Sequence, residues 1–187
     1  MAVHAKERLL MSAIALGRRD GWSHLSVADV LAESGAARRS FYTHFPGGTK
    51  ELTVAAVELA ATWITAVVKQ AAEQHSSAAL TTFVDHWRHV LTDSDFEQGC
   101  PVAAAAASRP HHAEAADIAA ASFEAWESLI AAALVRDGAD AATAKRLASL
   151  IVTCIEGAVT RCIADRSCAP MDVVHDHLQS VLAAELP

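Results

Sequence analysis

Apolar residues recur at helical spacing along most of this chain of 187 residues. Between residues 6 and 20, leucine, isoleucine and alanine return every three or four positions, and Gly21 follows where helices often end on a left-handed residue. A second helix is predicted after Ser26. The Ser26 hydroxyl can cap the amide of Asp29, while the Asp29 carboxylate reaches back to Ser26. No segment reads as a credible strand, so the pattern predicts an all-α fold.

Glycine and proline divide the chain into nine predicted helices. Gly35 supplies a turn, and Pro46 with the two glycines after it limits the third helix to about two turns. The fourth helix is expected over residues 49–74, where no breaker interrupts a wide apolar face. The other five are expected near residues 78–91, 102–107, 114–136, 141–165 and 171–185.

Composition supports the helical prediction. Hydrophobic residues make up 52% of the chain and aromatics only 5%, and much of the apolar fraction is alanine, which favours helices over β-sandwiches. The four cysteines show neither CxxC pairing nor a histidine at zinc-finger spacing, so we predict reduced thiols and neither a metal nor a cofactor. No signal peptide is evident, and uninterrupted apolar runs such as residues 129–135 are short, so we expect a cytoplasmic chain without a membrane partner.

Charge is distributed unevenly along the chain. Residues 1–50 carry seven lysines and arginines against four acidic residues, whereas the remainder carries eight against eighteen. This asymmetry suggests a small head that binds a polyanion, attached to an acidic body. A solvated basic face on a helical hairpin is the alternative interpretation.

The second and third predicted helices, with the tight turn between them, form a helix-turn-helix, whose second helix lies in the major groove of double-stranded DNA. Phe41 is expected to point inward with Phe45. Arginine can bind guanine edges or phosphate, whereas Tyr42 and His44 suit phosphate oxygens, and phosphates also favour helix N-termini. The predicted DNA contacts are Ser26, Ala37, Arg38, Arg39, Ser40, Tyr42, Thr43, His44 and Lys50. We expect this DNA-binding domain to span residues 1–47.

The stretch GWSHLSVADVLAESGAARRSFYTHFPGGTKEL closely resembles the DNA-binding region of TetR-family transcriptional regulators, over about residues 5–60. FPGG followed by KEL, GCPVAA at residues 99–104 and IEGAVTRCIAD at residues 155–165 are similar to the LmrA/YxaF-like branch of that family. The chain departs from the family pattern at Ala37, where a serine or threonine cap is usual, at Arg39, where a small residue is common, and at Thr49, which precedes the lysine. The operator bound by this chain is therefore expected to differ.

The resemblance implies a ligand-binding and dimerisation domain over residues 48–187. Aromatic residues on the fourth to seventh helices or their loops are candidates to line an apolar cavity, together with the cysteine of the GCP motif. The predicted ligand contacts are Trp63, Phe83, Trp87, Phe96, Cys100, Phe123 and Trp126. Aromatics at helical spacing are more often simply core, and Cys100 can be read either as a redox sensor or as a small buried residue.

The resemblance also implies a homodimer. The eighth helix confines its polar residues to a strip and leaves an apolar face wider than one core needs, and the ninth repeats apolar residues at helical spacing. Gly157 would allow close backbone approach. The predicted interface residues are Leu147, Ile151, Cys154, Ala158, Cys162, Val174, Leu178 and Val181. The alternative is a central helix in a monomeric bundle.

Together these features predict a ligand-responsive transcriptional regulator, a repressor by resemblance, that binds a palindromic operator as a dimer and is released by an unknown small apolar molecule. No P-loop, HExxH or Glu-x-x-His di-iron pair is present in the sequence, which argues against an enzyme. The rival hypothesis is a helical-bundle carrier or enzyme whose basic head is incidental.

Overall fold

A computed structural model of the protein describes the backbone of residues 2–186 and the side chains of residues 5–186. That part of the chain contains nine α-helices and no strand, which confirms the predicted all-α fold. The helices are α1 (Ala2–Asp20), α2 (Val27–Ser34), α3 (Arg38–His44), α4 (Thr49–Ala72), α5 (Ser76–Asp93), α6 (Pro101–Ala107), α7 (Ala113–Arg136), α8 (Ala141–Asp165) and α9 (Ala169–Glu185).

The helix boundaries follow local chemistry. α2 begins after Ser26 and ends at Gly35, whose backbone is left-handed with φ 63°. α6 begins at a proline, whose missing N–H costs nothing in the first turn. The sequence pattern did not predict the short 3-10 turn at Trp22–His24.

The helices form two compact units. The first contains Met1–Thr62 with Cys100–Ala120, and the second contains Trp63–Gly99 with Ala121–Pro187. α4 and α7 each contribute residues to both units. The first unit therefore extends beyond the division expected at residue 47, since it includes the first half of α4, all of α6 and the start of α7.

Trp22 is the largest fully buried side chain of the first unit. Its indole Nε1 donates a hydrogen bond to the Pro101 carbonyl oxygen at 2.8 Å. Its own carbonyl oxygen lies 3.1 Å from Nε2 of His112, which must be the donor because a carbonyl only accepts. Burial, with the nearby Lys50 and His111, lowers the pKa of His112. One tryptophan thus holds the start of α6 and the start of α7.

Gly17 allows α1 to pass directly over the Trp22 ring. A Cβ atom at this position would lie 2.6 Å from ring atoms Cδ2 and Cε2, well inside van der Waals contact. Because the ring is fully buried, it has little room to retreat. Glycine at this position is therefore required by packing.

The second unit is built around α8. Its buried face supplies Leu147, Ile151, Ile155, Ala158, Val159 and Cys162 to the core. Hydrogen bonds and an ion pair join α5 to α9. The Gln179 side chain bonds Ser77 and Thr81, and Arg88 pairs with Asp172 at 2.7 Å.

Three helices, α4, α7 and α8, are long and apolar enough to cross a membrane by length and composition, with mean hydropathies of 1.6, 1.5 and 1.6. The sequence-based expectation considered only uninterrupted apolar runs. These three helices contain no such long run, but alanines dispersed along them raise the mean hydropathy to that of a membrane-spanning helix. Composition and length alone therefore do not exclude a membrane, and the absence of a membrane partner stays a prediction.

We predict that Gly17→Ala lowers the free energy of unfolding by about 1–3 kcal/mol, because the new methyl group collides with the Trp22 ring. Urea denaturation followed by circular dichroism measures this cost. In a Trp22→Leu background the same substitution should cost much less, because the colliding ring is absent. An equal cost in both backgrounds would show that the contact does not explain the glycine.

Candidate nucleic-acid interface and ligand cavity

α2 is fixed by a cap at its first turn. Ser26 is the N-cap residue, and its Oγ accepts a hydrogen bond from the Asp29 amide at 3.2 Å. The same hydroxyl donates to the Asp29 carboxylate at 2.5 Å, so the carboxylate contacts the Ser26 side chain and not its backbone N–H, as a full capping box would require. Both hydrogen-bonding functions of Ser26 are used inside the protein. A phosphate contact from this side chain would have to displace the Asp29 carboxylate.

α3 is a helix of seven residues that is anchored on one face and open on the other. Phe41 and Phe45 are buried, with ring centroids 6.0 Å apart. Tyr42 is 45% exposed and meets the Phe41 ring edge-on. This anchoring confirms the inward orientation expected for the two phenylalanines.

The open face of α3 carries two adjacent arginines. Arg38 and Arg39 are exposed in the first turn, and no carboxylate among the described residues forms an ion pair with either. Ala37, the N-cap residue, supplies no side-chain cap. Thr43 Oγ1 donates to the Arg39 carbonyl oxygen at 2.8 Å. Both guanidinium groups are therefore available to an external anion.

The remaining predicted DNA contacts differ in their exposure. Tyr42 and Thr43 are exposed, whereas Ser40 and His44 are half-buried. Lys50 is exposed in the first turn of α4. Glu51 follows it, and its carboxylate accepts a hydrogen bond from the Gly47 amide at 2.7 Å. The negative charge of Glu51 partly opposes an anion at this helix terminus.

The second unit contains an apolar cavity between α4, α5, α7 and α8. Its empty volume is about 650 Å³, counted with the solvent in its mouth. It is lined by Val68, Ala71, Ala72, Ser76, Ala79, Leu80, Phe83, Trp126, Ile130, Ala133, Leu134, Ile151, Val152, Ile155 and Glu156. Two of the predicted ligand contacts, Phe83 and Trp126, are in this wall.

The other predicted ligand contacts lie outside this wall. Trp63 is 43% exposed, and Trp87 is buried in the core. Phe96 lies in the loop after α5, with φ 60°. Phe123 contacts Trp126 edge-on, with ring centroids 5.3 Å apart. Cys100 belongs to the first unit, where its buried Sγ accepts a hydrogen bond from the Ala103 amide.

Most of the wall was missed by sequence reasoning, because it is aliphatic and aliphatic residues occur on every helix. Glu156 belongs to the polar strip of α8, and Ser76 begins α5, so neither residue gave a signal for the cavity.

Asp137 fixes the cavity rim beside Ser76. Its carboxylate accepts hydrogen bonds from the Ser76 amide at 2.6 Å and from the Ser76 hydroxyl at 2.5 Å. Burial alone would raise the pKa of Asp137, but these hydrogen bonds and the adjacent Arg136 outweigh it and hold the pKa below its ordinary value. Arg136 also donates to the carbonyl oxygens of Ala72 and Gln74, at 2.7 and 2.5 Å.

The predicted interface positions fall into two groups. Five are already buried within one chain: Leu147, Ile151, Ala158, Cys162 and Leu178. Cys154, Val174 and Val181 are half-buried. A side chain that its own chain covers adds little area to a second contact. The large apolar residues of α8 and α9 that are exposed are Leu150, at 41%, and Val173, at 70%.

Comparisons with known proteins agree with this architecture. The family model for the transcriptional regulator LmrA/YxaF-like C-terminal domain matches residues 76–177. An uncharacterised HTH-type transcriptional regulator of Mycobacterium tuberculosis is 35% identical, over 97% of this chain and 96% of that protein. HTH-type transcriptional regulator LmrA of Bacillus subtilis is 24% identical, over 89% and 90%. The crystal structure of regulatory protein TetR from Rhodobacter sphaeroides superposes with a TM-score of 0.85 at 18% identity, over 94% and 97%.

The chain belongs to the LmrA/YxaF-like branch of the TetR family of transcriptional regulators, which are DNA-binding helix-turn-helix proteins. The family resemblance found in the sequence is confirmed. The structural likeness, at 18% identity, supports the fold.

We predict that Asp137→Asn lowers the free energy of unfolding by about 1–3 kcal/mol at pH 7, because it removes a charged acceptor of the Ser76 hydrogen bonds. Since the folded pKa lies below the ordinary 3.8, this stabilisation is complete above that value and is lost as the pH falls through the folded pKa. Urea denaturation at several pH values measures the difference between the two proteins. Asp93→Asn, at an exposed position on α5, is the control and should change stability by no more than about 0.5 kcal/mol. A difference that grows in acid would contradict the assignment.

Proposed function

We propose that this protein is a ligand-responsive transcriptional repressor of the cytoplasm, which binds a palindromic operator as a homodimer and releases it when a small apolar molecule binds. The observation that carries the proposal is the open face of α3, where Arg38 and Arg39 stand exposed without an acidic partner among the described residues. Membership of a family of DNA-binding regulators supports the same conclusion.

The position of the arginines in α3 favours contacts with bases. Residues in the first turn of a recognition helix are those that reach base edges. Arg38 and Arg39 occupy that turn. Tyr42, near the other end of α3, and Lys50, at the start of α4, are placed to bind phosphates, which fix orientation without reading sequence.

A homodimer is supported by Gly157 on α8. A Cβ atom at this position would meet nothing within 4 Å, so no contact within the chain requires glycine. Glycine inside a helix costs about 1 kcal/mol relative to alanine. Close approach by a second copy of α8 offsets that cost. Two copies also match the twofold symmetry of operators read by helix-turn-helix dimers.

Ligand binding is expected to release the DNA because α4 is one unbroken helix. Val68, Ala71 and Ala72 line the cavity, and Lys50 lies at the opposite end of the same unbroken helix. A molecule that displaces these three residues moves a helix that also carries a DNA contact. Trp63, one of the ligand contacts predicted from the sequence, is absent from the wall. The coupling between ligand and operator is expected to be about 1–3 kcal/mol and to act equally in both directions.

The primary test is a mobility shift with DNA from upstream of the protein's own gene. We expect specific binding that weakens steeply with salt, because phosphate contacts release counterions. A small-molecule carrier or an enzyme with an incidental basic head would bind no fragment specifically, and the apolar cavity alone would suit either. Repression is tested separately, since deletion of the gene should raise expression from a bound promoter.

Single substitutions distinguish DNA contacts that read bases from those that bind phosphates. We predict that Arg38→Ala costs about 1–3 kcal/mol of operator binding and relaxes the sequence preference. Lys50→Ala should weaken all sequences alike and flatten the salt slope by about 1. Lys69→Ala, exposed near the other end of α4, is the matched control and should behave like the wild type. Equal, sequence-independent losses for Arg38→Ala and Lys50→Ala would refute the division of roles.

We predict that Gly157→Arg converts the dimer to a monomer, because a long charged side chain prevents close approach at α8. Sedimentation velocity measures the oligomeric state, and circular dichroism checks that the variant remains helical. Ala66→Arg, at an exposed position on α4, is the control and should sediment like the wild type. A Gly157→Arg protein that remains a dimer would place the interface elsewhere.

A further inference from the structure

The first unit holds an exposed lysine on α1, outside the helix-turn-helix. Lys6 lies near the start of that helix, and its Nζ is placed over the Phe45 ring, 6.0 Å from the ring centroid. Phe45 is the C-cap residue of α3 and is 1% exposed, so its ring is a fixed support. An ammonium group from α1 is therefore held at the C-terminal end of α3.

The charge of Lys6 has no acidic partner in the part of the chain that the structure describes. No carboxylate there forms an ion pair with it, and its ammonium group makes no hydrogen bond to another described residue. The contact with the Phe45 ring is at the outer limit of about 6 Å for a cation–π interaction and is weak at an exposed site. The N–H donors of the ammonium group are consequently available to an external anion.

The dimensions of α3 and of the major groove place this ammonium group beside phosphates. Arg38 and Arg39, proposed to reach base edges, are in the first turn of α3. The helix is seven residues long, which at 1.5 Å per residue is about 10 Å. Since the major groove is about 12 Å wide, a helix with its first turn at the bases has its far end near the phosphate wall of the groove. Lys6 is held at that far end.

We propose that Lys6 binds a DNA phosphate from α1 and that the Phe45 ring holds its ammonium group in place for this contact. This inference rests on the proposed binding of DNA through α3, and it adds a contact from a helix outside the helix-turn-helix. A phosphate contact carries no sequence information, but it fixes the orientation of the protein on the duplex. With Lys50 on α4, the recognition helix would be oriented from two neighbouring helices.

The salt dependence of DNA binding tests this contact. Lys6→Gln removes the charge and keeps most of the length of the side chain. Fluorescence anisotropy measures binding to a labelled duplex from upstream of the gene and to an unrelated duplex of equal length. Each phosphate contact contributes about 0.9 to the slope of log affinity against log salt, so the slope should flatten by about that amount for each bound subunit, on both duplexes. From about 50 to about 200 mM salt, the wild type should lose about threefold more affinity than the variant for each bound subunit.

Arg8→Gln is the matched control. Arg8 is exposed on the same helix, and successive helical residues are turned by about 100°, so its side chain leaves α1 on nearly the opposite side from Lys6. This variant should keep the wild-type slope. Lys6→Arg retains a positive charge at the site and should also keep that slope. A purely structural role for Lys6 would lower the resistance to urea and leave the salt slope of Lys6→Gln unchanged.

Three outcomes overturn the inference: Lys6→Gln keeps the wild-type slope, Arg8→Gln flattens the slope equally, or the wild type binds neither duplex. Circular dichroism checks that each variant remains helical, as expected for substitutions at exposed positions.

The unrelated duplex separates this inference from the proposed function. A wild type that binds both duplexes alike, with a slope that Lys6→Gln flattens, contradicts operator specificity and supports the Lys6 contact. A wild type that prefers the upstream duplex, with a slope unchanged in Lys6→Gln, contradicts the Lys6 contact alone.

Discussion

The buried indole of Trp22 is the contact on which the first unit depends. α1 has a glycine where it crosses the ring, the indole N–H holds the first residue of α6, and the Trp22 carbonyl accepts from His112. Each of these contacts is short, and each involves a buried or half-buried group, so none can be removed without leaving a void or an unsatisfied polar atom. The unit that carries α3 is consequently more than a three-helix head.

Local chemistry made the helices predictable. The cap at Ser26, the left-handed Gly35 and the proline and glycines after α3 fixed the helix-turn-helix within a residue or two. Phe41 and Phe45 turn inward, and both arginines of α3 are exposed. The hydrogen bond that attaches α6 to Trp22 was not predictable. Trp22 and Pro101 are 79 positions apart, and neither residue lies in a sequence pattern that indicates contact with the other.

The cavity wall and the proposed dimer surface were harder to predict for a common reason. Alanine is as compatible with a core as with a surface, so alanine-rich helices do not reveal which face is covered. Aromatic character alone is a weak guide to a cavity wall, since only Phe83 and Trp126 of the six predicted aromatic contacts line the cavity. On α8 the apolar face is wide, and periodicity cannot tell which part its own chain covers. Leu147 and Ile151, both expected at a dimer surface, are buried within one chain.

The attachment of α6 to Trp22 limits how this regulator can be re-engineered. Exchanging DNA-reading modules between relatives by joining two genes after residue 47 would separate the Trp22 indole from its native acceptor at Pro101. A buried donor without an acceptor costs about 1–3 kcal/mol, a sizeable part of the stability of a small domain. The transplantable unit is therefore discontinuous in sequence, and a chimera must carry α6 and the start of α7 along with the N-terminal helices.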